Sequence, residues 1–442
     1  MNKLVLIWSG RVVVALLSGI GLLVLAGCSG GNQAGDKVIK VTRNIGGREG
    51  FRQHWESWKG VFEKKNPGWK MALIDLGNAD GAEYYKSRIA TGDLADVVQL
   101  WGLTKFLADG GNLQPLPDSY YEKVGADLPT PYRGYRYATM GGLQLQGIAI
   151  NKQMWSDIGI TEPPATWDEF VEGLKKLKAK GCKPLTYGGR EWSAAWPLYS
   201  NIQINLYDYK PDSSKPSWNQ LRDQKKVSYA TDPVVRKIIE NMIVLLDTFS
   251  EKGDASDGYN EEQRKFYSGR TSAWIMGCWI GGDLENNKVD FEIDYWPFPP
   301  LTKERAPAFV GSTSIQSGWA ITTAAKGEKY EKAMAVMEAF YEPEPYQLFL
   351  NGEAQLAMAG KVPVAGPVSA WAPAQKFYDN MKSRSEKSAR AQGCDISLDD
   401  MPPTLMQMTM SRVMQEIQAG NRDVDKLLKM LDDDWDSARK GM

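Results

Sequence analysis

Between Lys37 and Gly110 the chain alternates short apolar runs with longer segments of helical period, and this alternation restricts its fold more than any other feature. Val38 to Thr42 alternates apolar and polar residues as a strand does, while Phe51, Trp55, Trp58 and Phe62 recur at the spacing of one helix face. That helix stops before the turn Asn66-Pro67-Gly68. Met71 to Leu76 reads as a second strand, and the next helix opens with a capping box at Asp80 and Glu83 and ends at Gly92. A third strand, Asp96 to Leu100, runs into Trp101 and Gly102, after which Thr104 caps a further helix. Strands separated by helices predict a parallel α/β sheet, and open sheets of this kind meet ligands at the carboxyl ends of their strands. Trp101 stands at such an end. So does Arg43, which leads into Asn44-Ile45-Gly46-Gly47-Arg48-Glu49-Gly50, a loop whose glycines allow close approach of the backbone but fit neither a dinucleotide nor a P-loop pattern.

The ends of the chain add their own constraints. An apolar run from Val12 to Leu25 follows the basic residues Lys3 and Arg11 and closes with Leu25-Ala26-Gly27-Cys28. It is short for a retained membrane helix, and small residues followed by Cys resemble a bacterial lipobox. Residues 1–27 are thus expected to be a lipoprotein signal peptide, Cys28 the lipidated first residue, and residues 28–36 a flexible tether rich in Gly, Ser and Asn. The body after it, roughly 410 residues, is long enough for two domains with their own cores.

Lys and Arg number 53 against 54 Asp and Glu, so charge recommends neither a nucleic-acid partner nor electrostatic attachment to anionic lipid. Membrane contact would come through the lipid anchor alone. Cys182, Cys278 and Cys394 are widely spaced and accompany a single histidine, His54, so no zinc constellation is expected; one disulfide is allowed and none is required. Tryptophan is over-represented, 16 against 12 Phe, and a surplus of flat rings with one N–H donor suits a partner that is part hydrocarbon and part hydroxyl.

Several stretches resemble family 1 extracellular solute-binding proteins of carbohydrate ABC importers: 62–68 (FEKKNPG), 89–93 (IATGD) running into 96–98 (DVV), and 111–116 (GNLQPL). The likeness continues through Ile150-Asn151-Lys152 into Pro163-Pro164-Ala165-Thr166-Trp167-Asp168-Glu169-Phe170, and again in the run from Gly269 to Trp279. The resemblance implies an α/β, periplasmic-binding-protein-like architecture. Two lobes built from discontinuous segments would be joined by a hinge, with the ligand in the cleft between them. The N-lobe would comprise residues 37–147 with a return over about 306–345, and the C-lobe 148–305 with about 346–442. It further implies capture of an extracellular carbohydrate for delivery to the importer's membrane permease subunits, by a monomer held on the extracytoplasmic face of the cell membrane. Trp279 holds the position at which relatives often meet the sugar.

The candidate site residues follow from these readings. Trp101, Trp192 and Trp279 each trail a predicted strand and are expected to be stacking platforms, whereas Trp55, Trp58, Trp167 and Trp435 lie on helix faces at core spacing. Arg43, Arg48, Glu49, Arg190 and Glu191 are expected to hydrogen-bond ligand hydroxyls. No cofactor or metal is implied; the run Asp432-Asp433-Asp434 reads as a solvated helix end. With one histidine and no G-x-S-x-G elbow the chain is poor in catalytic groups, so a receptor is expected rather than an enzyme. A glycoside hydrolase with two distant carboxylates, or a lipid-anchored sugar sensor serving a signalling kinase, are the alternatives.

Overall fold

The computed structural model describes residues 37–45, 49–76, 81–100, 103–126, 128–129, 131–139, 141–206, 215–284, 287–312, 318–357, 372–391 and 408–440. The described residues all belong to one compact unit. The expected leader, Cys28 and the tether lie outside the described residues, as do Arg48, Trp101 and Cys394.

In chain order the strands are β1 (Val38–Arg43), β2 (Lys70–Asp75), β3 (Val97–Gln99), β4 (Gly142–Asn151), β5 (Lys183–Thr186), β6 (Thr271–Gly277), β7 (Ile293–Trp296), β8 (Ala308–Ser312), β9 (Trp319–Ile321), β10 (Leu356–Ala357) and β11 (Ala389–Ala391). They make two sheets, one per lobe. The first has the order β2-β1-β3-β9. Its β1 runs parallel to β2 from Val38↔Lys70 to Arg43↔Asp75 and parallel to β3 at Val41↔Val97, while β9 closes the edge antiparallel to β3. Parallel pairing needs a covering crossover, which the helices Glu49–Lys65 and Gly81–Thr91 supply. The second sheet has the order β11-β8-β4-β6-β5, with β7 and β10 also paired to β4. All of β6 is buried, as expected of a strand covered on both faces.

The chain passes between sheets three times, at points that differ from the sequence-based boundaries. β4 already belongs to the second sheet from Gly142, six residues ahead of the expected boundary at 148, with the alternation Leu143-Gln144-Leu145-Gln146 in its first half. β8 still belongs to the second sheet, so the return to the first begins with β9, beyond Ser312 instead of at 306. The helix Pro343–Glu353 then packs along Glu49–Lys65 and extends the return past 345; only at Leu356, paired with Leu143, is the second sheet regained.

The helix-face tryptophans are core. Trp55, Trp58, Trp167 and Trp435 are all at most 3% exposed, and Trp58 Nε1 donates to the carbonyl of Val336 at 2.7 Å. Thr166 Oγ1 accepts from Glu169 N at 3.3 Å, and Asp232 caps the helix Pro233–Phe249, each satisfying first-turn donors of its helix. Asp432 differs from expectation. Its carboxylate is largely buried and accepts from Arg222 Nε (2.9 Å), Tyr229 N (3.0 Å) and Ala230 N (2.8 Å), tying the C-terminal helix to the segment that leads into the helix Pro233–Phe249. Sequence shows the acidic run but not the chain segment 200 residues away that needs an acceptor.

His54 is fully buried among Trp58, Trp319, Phe340 and Phe349, and neither ring nitrogen has a partner among the described residues. Burial, helped by the nearby positive Arg43, holds its pKa well below 6.5. The unfolded chain therefore takes up a proton below pH 6.5 that the folded chain refuses, and stability falls as pH drops from there, with a limiting slope of about 1.4 kcal/mol per pH unit. We expect His54→Phe to gain stability over the parent at pH 5 relative to pH 7, measured by urea unfolding at both values. An unchanged difference would mean that the imidazole protonates equally in both states.

Candidate ligand-binding site

The site grows from the carboxyl ends of two adjacent parallel strands, β5 and β6. Past β5 the chain turns through Gly188 and Gly189, where neighbours press so close that a Cβ would lie 2.6 Å from Glu262 Oε1 at the first and 2.1 Å from Gln418 Oε1 at the second. The loop is pinned by Gly189 N to Asp254 O (2.8 Å), by Arg190 N to Asp257 O (3.0 Å) and by Gln415 Nε2 to Gly189 O (2.7 Å). It delivers Trp192 to the start of a short 3-10 turn, Trp192–Ala195, that continues into the helix Trp196–Leu206. Past β6, Trp279 stands at the head of the short helix Ile280–Asp283.

These rings meet. Trp192 lies 6.2 Å from Trp279 and 5.9 Å from Trp196 between ring centroids, Trp196 lies 5.6 Å from Trp279, and Tyr259 stacks on Trp192 at 5.3 Å. Trp192 is 38% exposed, an unusual state for an indole surrounded by other rings. Trp192 and Trp279 were expected from sequence; Trp196 and Tyr259 were not. The available signals were the four-residue interval between Trp192 and Trp196 and the position of Tyr259 just after Asp257-Gly258, a helix start.

Arg190 and Glu191 are engaged within the protein. Arg190 Nη2 pairs with Glu261 Oε2 at 3.0 Å, and Glu191 Oε1 accepts from the backbone N–H of Tyr259. Glu261 Oε2 also accepts from Gly258 N at 3.0 Å, so two carboxylates serve the first turn of the helix Tyr259–Tyr267, where donors are otherwise unpaired. The pairs hold Tyr259 against Trp192. Behind them Glu262, 1% exposed, accepts from Trp274 Nε1 at 3.1 Å, and burial pushes its pKa from 4.5 up to about 8.

In the first lobe, Arg43 ends β1 fully buried, its guanidinium 4.5 Å from the ring of Phe51 and 5.3 Å from that of Trp319. Glu49 opens the helix Glu49–Lys65 and pairs with Arg52 on the surface. Gln99 Oε1 accepts from Asn44 N at 3.1 Å. The structure thus gathers Arg190, Glu191, Trp192 and Trp279 in one place, and sets Arg43 and Glu49 near the carboxyl end of β1.

Rings at parallel strand ends, on a chain crossing three times between two sheets, agree with a match to the family model described as bacterial extracellular solute-binding protein over residues 48–347. The chain belongs to this family. Relatives include a multiple sugar-binding protein of Streptococcus mutans, 22% identical over 366 residues that span 78% of this chain and 84% of the relative. Another is a melibiose/raffinose/stachyose-binding protein of Bacillus subtilis, 20% identical over 66% of this chain and 68% of the relative. Among solved structures a chitin oligosaccharide binding protein superposes with a TM-score of 0.74 at 19% identity, covering 91% of this chain and 99% of the other. The fold of this solute-binding protein is accordingly the two-lobed α/β, periplasmic-binding-protein-like one.

Glu262 gives the site a pH signature opposite to that of His54. Its folded pKa is raised, so the stabilising difference is complete below pH 4.5 and is lost as pH rises toward about 8. Between pH 4.5 and 6.5 the two residues offset each other, and from 6.5 to 8 Glu262 acts alone. Stability of the solute-binding protein should fall across that upper window, and Glu262→Gln should flatten the fall. Chemical unfolding at pH 6.5, 7.25 and 8 measures it; a flat parent profile would contradict the buried, protonated carboxyl.

Proposed function

We propose that this chain is the substrate-binding lipoprotein of an ABC importer, capturing an extracellular oligosaccharide between its lobes and handing it to permease subunits in the membrane. The observation that carries the reading is the cluster of Trp192, Trp196, Tyr259 and Trp279 with its adjacent charges paired internally. Aromatic faces with no unpaired charge beside them among the described residues favour a neutral ligand that has apolar ring faces and hydroxyl edges. Relatives named for multiple sugars and for melibiose, raffinose and stachyose, and a structural neighbour named for chitin oligosaccharide, support the same class. Trp101, Arg43, Arg48 and Glu49 would supply the first lobe's side of the cleft. The chain would act as a receptor, without catalysis. Cys28 would carry the lipid that holds a monomeric body on the extracytoplasmic face, and Cys28→Ser should release that body from the membrane fraction.

The reading is tested by thermal shift against raffinose, stachyose, maltose and chitin oligosaccharides, with peptides, phosphate and divalent metals as controls. A ligand at a hundred times its dissociation constant adds about 2.7 kcal/mol of stability. Stabilisation by a control and by no sugar would overturn the assignment. For the best sugar, Trp279→Ala should lose on the order of 2 kcal/mol of binding, roughly thirtyfold in Kd, while Trp58→Ala should lose about 3 to 5 kcal/mol of stability and bind normally once folded. Calorimetric titration and melting of both variants separate the two effects.

A further inference from the structure

Trp279 rests on a residue without a side chain. A Cβ at Gly277 would lie 1.8 Å from Cζ3 and 2.2 Å from Cε3 of the indole, so the ring lies directly on the backbone of β6. A glycine inside a strand marks such a close approach. In the antiparallel ladder Gly277 is the partner of Gln146 on β4, and direct partners put their side chains on the same face with Cβ positions about 5 Å apart. Gln146 therefore stands at the foot of the indole, one strand over.

Gln146 is 2% exposed, and neither Oε1 nor Nε2 has a hydrogen-bond partner among the described residues. Buried side-chain amides are normally satisfied, because water would otherwise pair with them in the unfolded chain. Trp196 Nε1, in the ring cluster that contains Trp279, is also buried without a partner among the described residues. An unpaired amide and an unpaired indole N–H thus belong to strand and ring neighbours of one indole. The amide offers a donor and an acceptor side by side, which matches two neighbouring hydroxyls of a sugar and gives no advantage to an ion.

We propose that Gln146 is the hydrogen-bonding specificity residue of this site, reading hydroxyls of a sugar ring that takes the place of the Trp279 indole against Gly277 while the indole moves onto the sugar's outer face. The inference rests on the sugar-binding reading above. The bare surface of Gly277 is then the floor on which the sugar lies, and the unsatisfied amide is a stability deficit kept for the ligand.

Gln146→Met keeps the length and shape of the side chain and removes its hydrogen-bonding groups. The variant should melt at a higher temperature than the parent, because an unpaired buried amide is gone, and should bind the most stabilising panel sugar at least tenfold more weakly by calorimetric titration. Opposite movements of melting and affinity are what a purely structural glutamine would not produce. Unchanged Kd in Gln146→Met, whatever its melting temperature, overturns the proposal while leaving the sugar-binding reading intact. If a control ligand stabilises the parent and no panel sugar does, both fall together. Should the Met variant not fold, Gln146→Asn retracts the amide by one methylene and must weaken sugar binding by the same criterion, with unchanged Kd again overturning the proposal.

Discussion

Three crossings between two sheets are the constraint on which the rest of this molecule depends. Neither sheet is built from one continuous stretch: β9 completes the first sheet only after β4 to β8 have been laid down in the second. The crossings meet where side chains are least tolerated. A Cβ at Gly142 would lie 2.7 Å from Gln355 Oε1, one at Gly282 would lie 2.2 Å from the carbonyl of Gly352, and one at Gly50 would lie 3.1 Å from Gly352 Cα. At Gly282 the backbone of the second lobe thus meets that of Gly352, in the first lobe's returning helix, with no side chain between them. Such contacts permit close packing with little interlocking of side chains, which suits segments that must bend together.

The pairing of charges beside the rings serves the same economy of motion. Arg190, Glu191 and Glu261 are exposed enough that each ion pair adds little stability. Their effect is positional: they hold the first turn of Tyr259–Tyr267 against the loop that carries Trp192, so an exposed indole is presented in one orientation. Orientation fixed before binding lowers the entropy that binding must remove.

Much of this was legible from sequence for identifiable reasons. Val38 to Leu100 announces its strands and helices because each is amphipathic with its own period, and Trp58 or Trp167 can be assigned to the core from spacing alone. That Trp192 and Trp279 come together was legible because each trails a strand and those strands end side by side. The lobe boundaries were not, since Gly142 to Asn151 reads as one strand whichever sheet it joins. Nor were the partners of Arg190 and Glu191, which lie some 70 residues on, or the isolation of Gln146 and His54. Burial of a polar group without a partner is a property of what surrounds it, and no local pattern encodes it.

The distribution of indoles has an optical consequence. Trp58, Trp155, Trp167, Trp274, Trp296, Trp319 and Trp435 are under 2% exposed, out of reach of a molecule arriving from solvent. Trp192 is open to solvent, and it touches Trp279, so any molecule settling between them changes the polarity around both rings at once. Under the proposed reading a guest beside Trp192 and Trp279 would change the emission of these two rings against the steadier background of the buried seven.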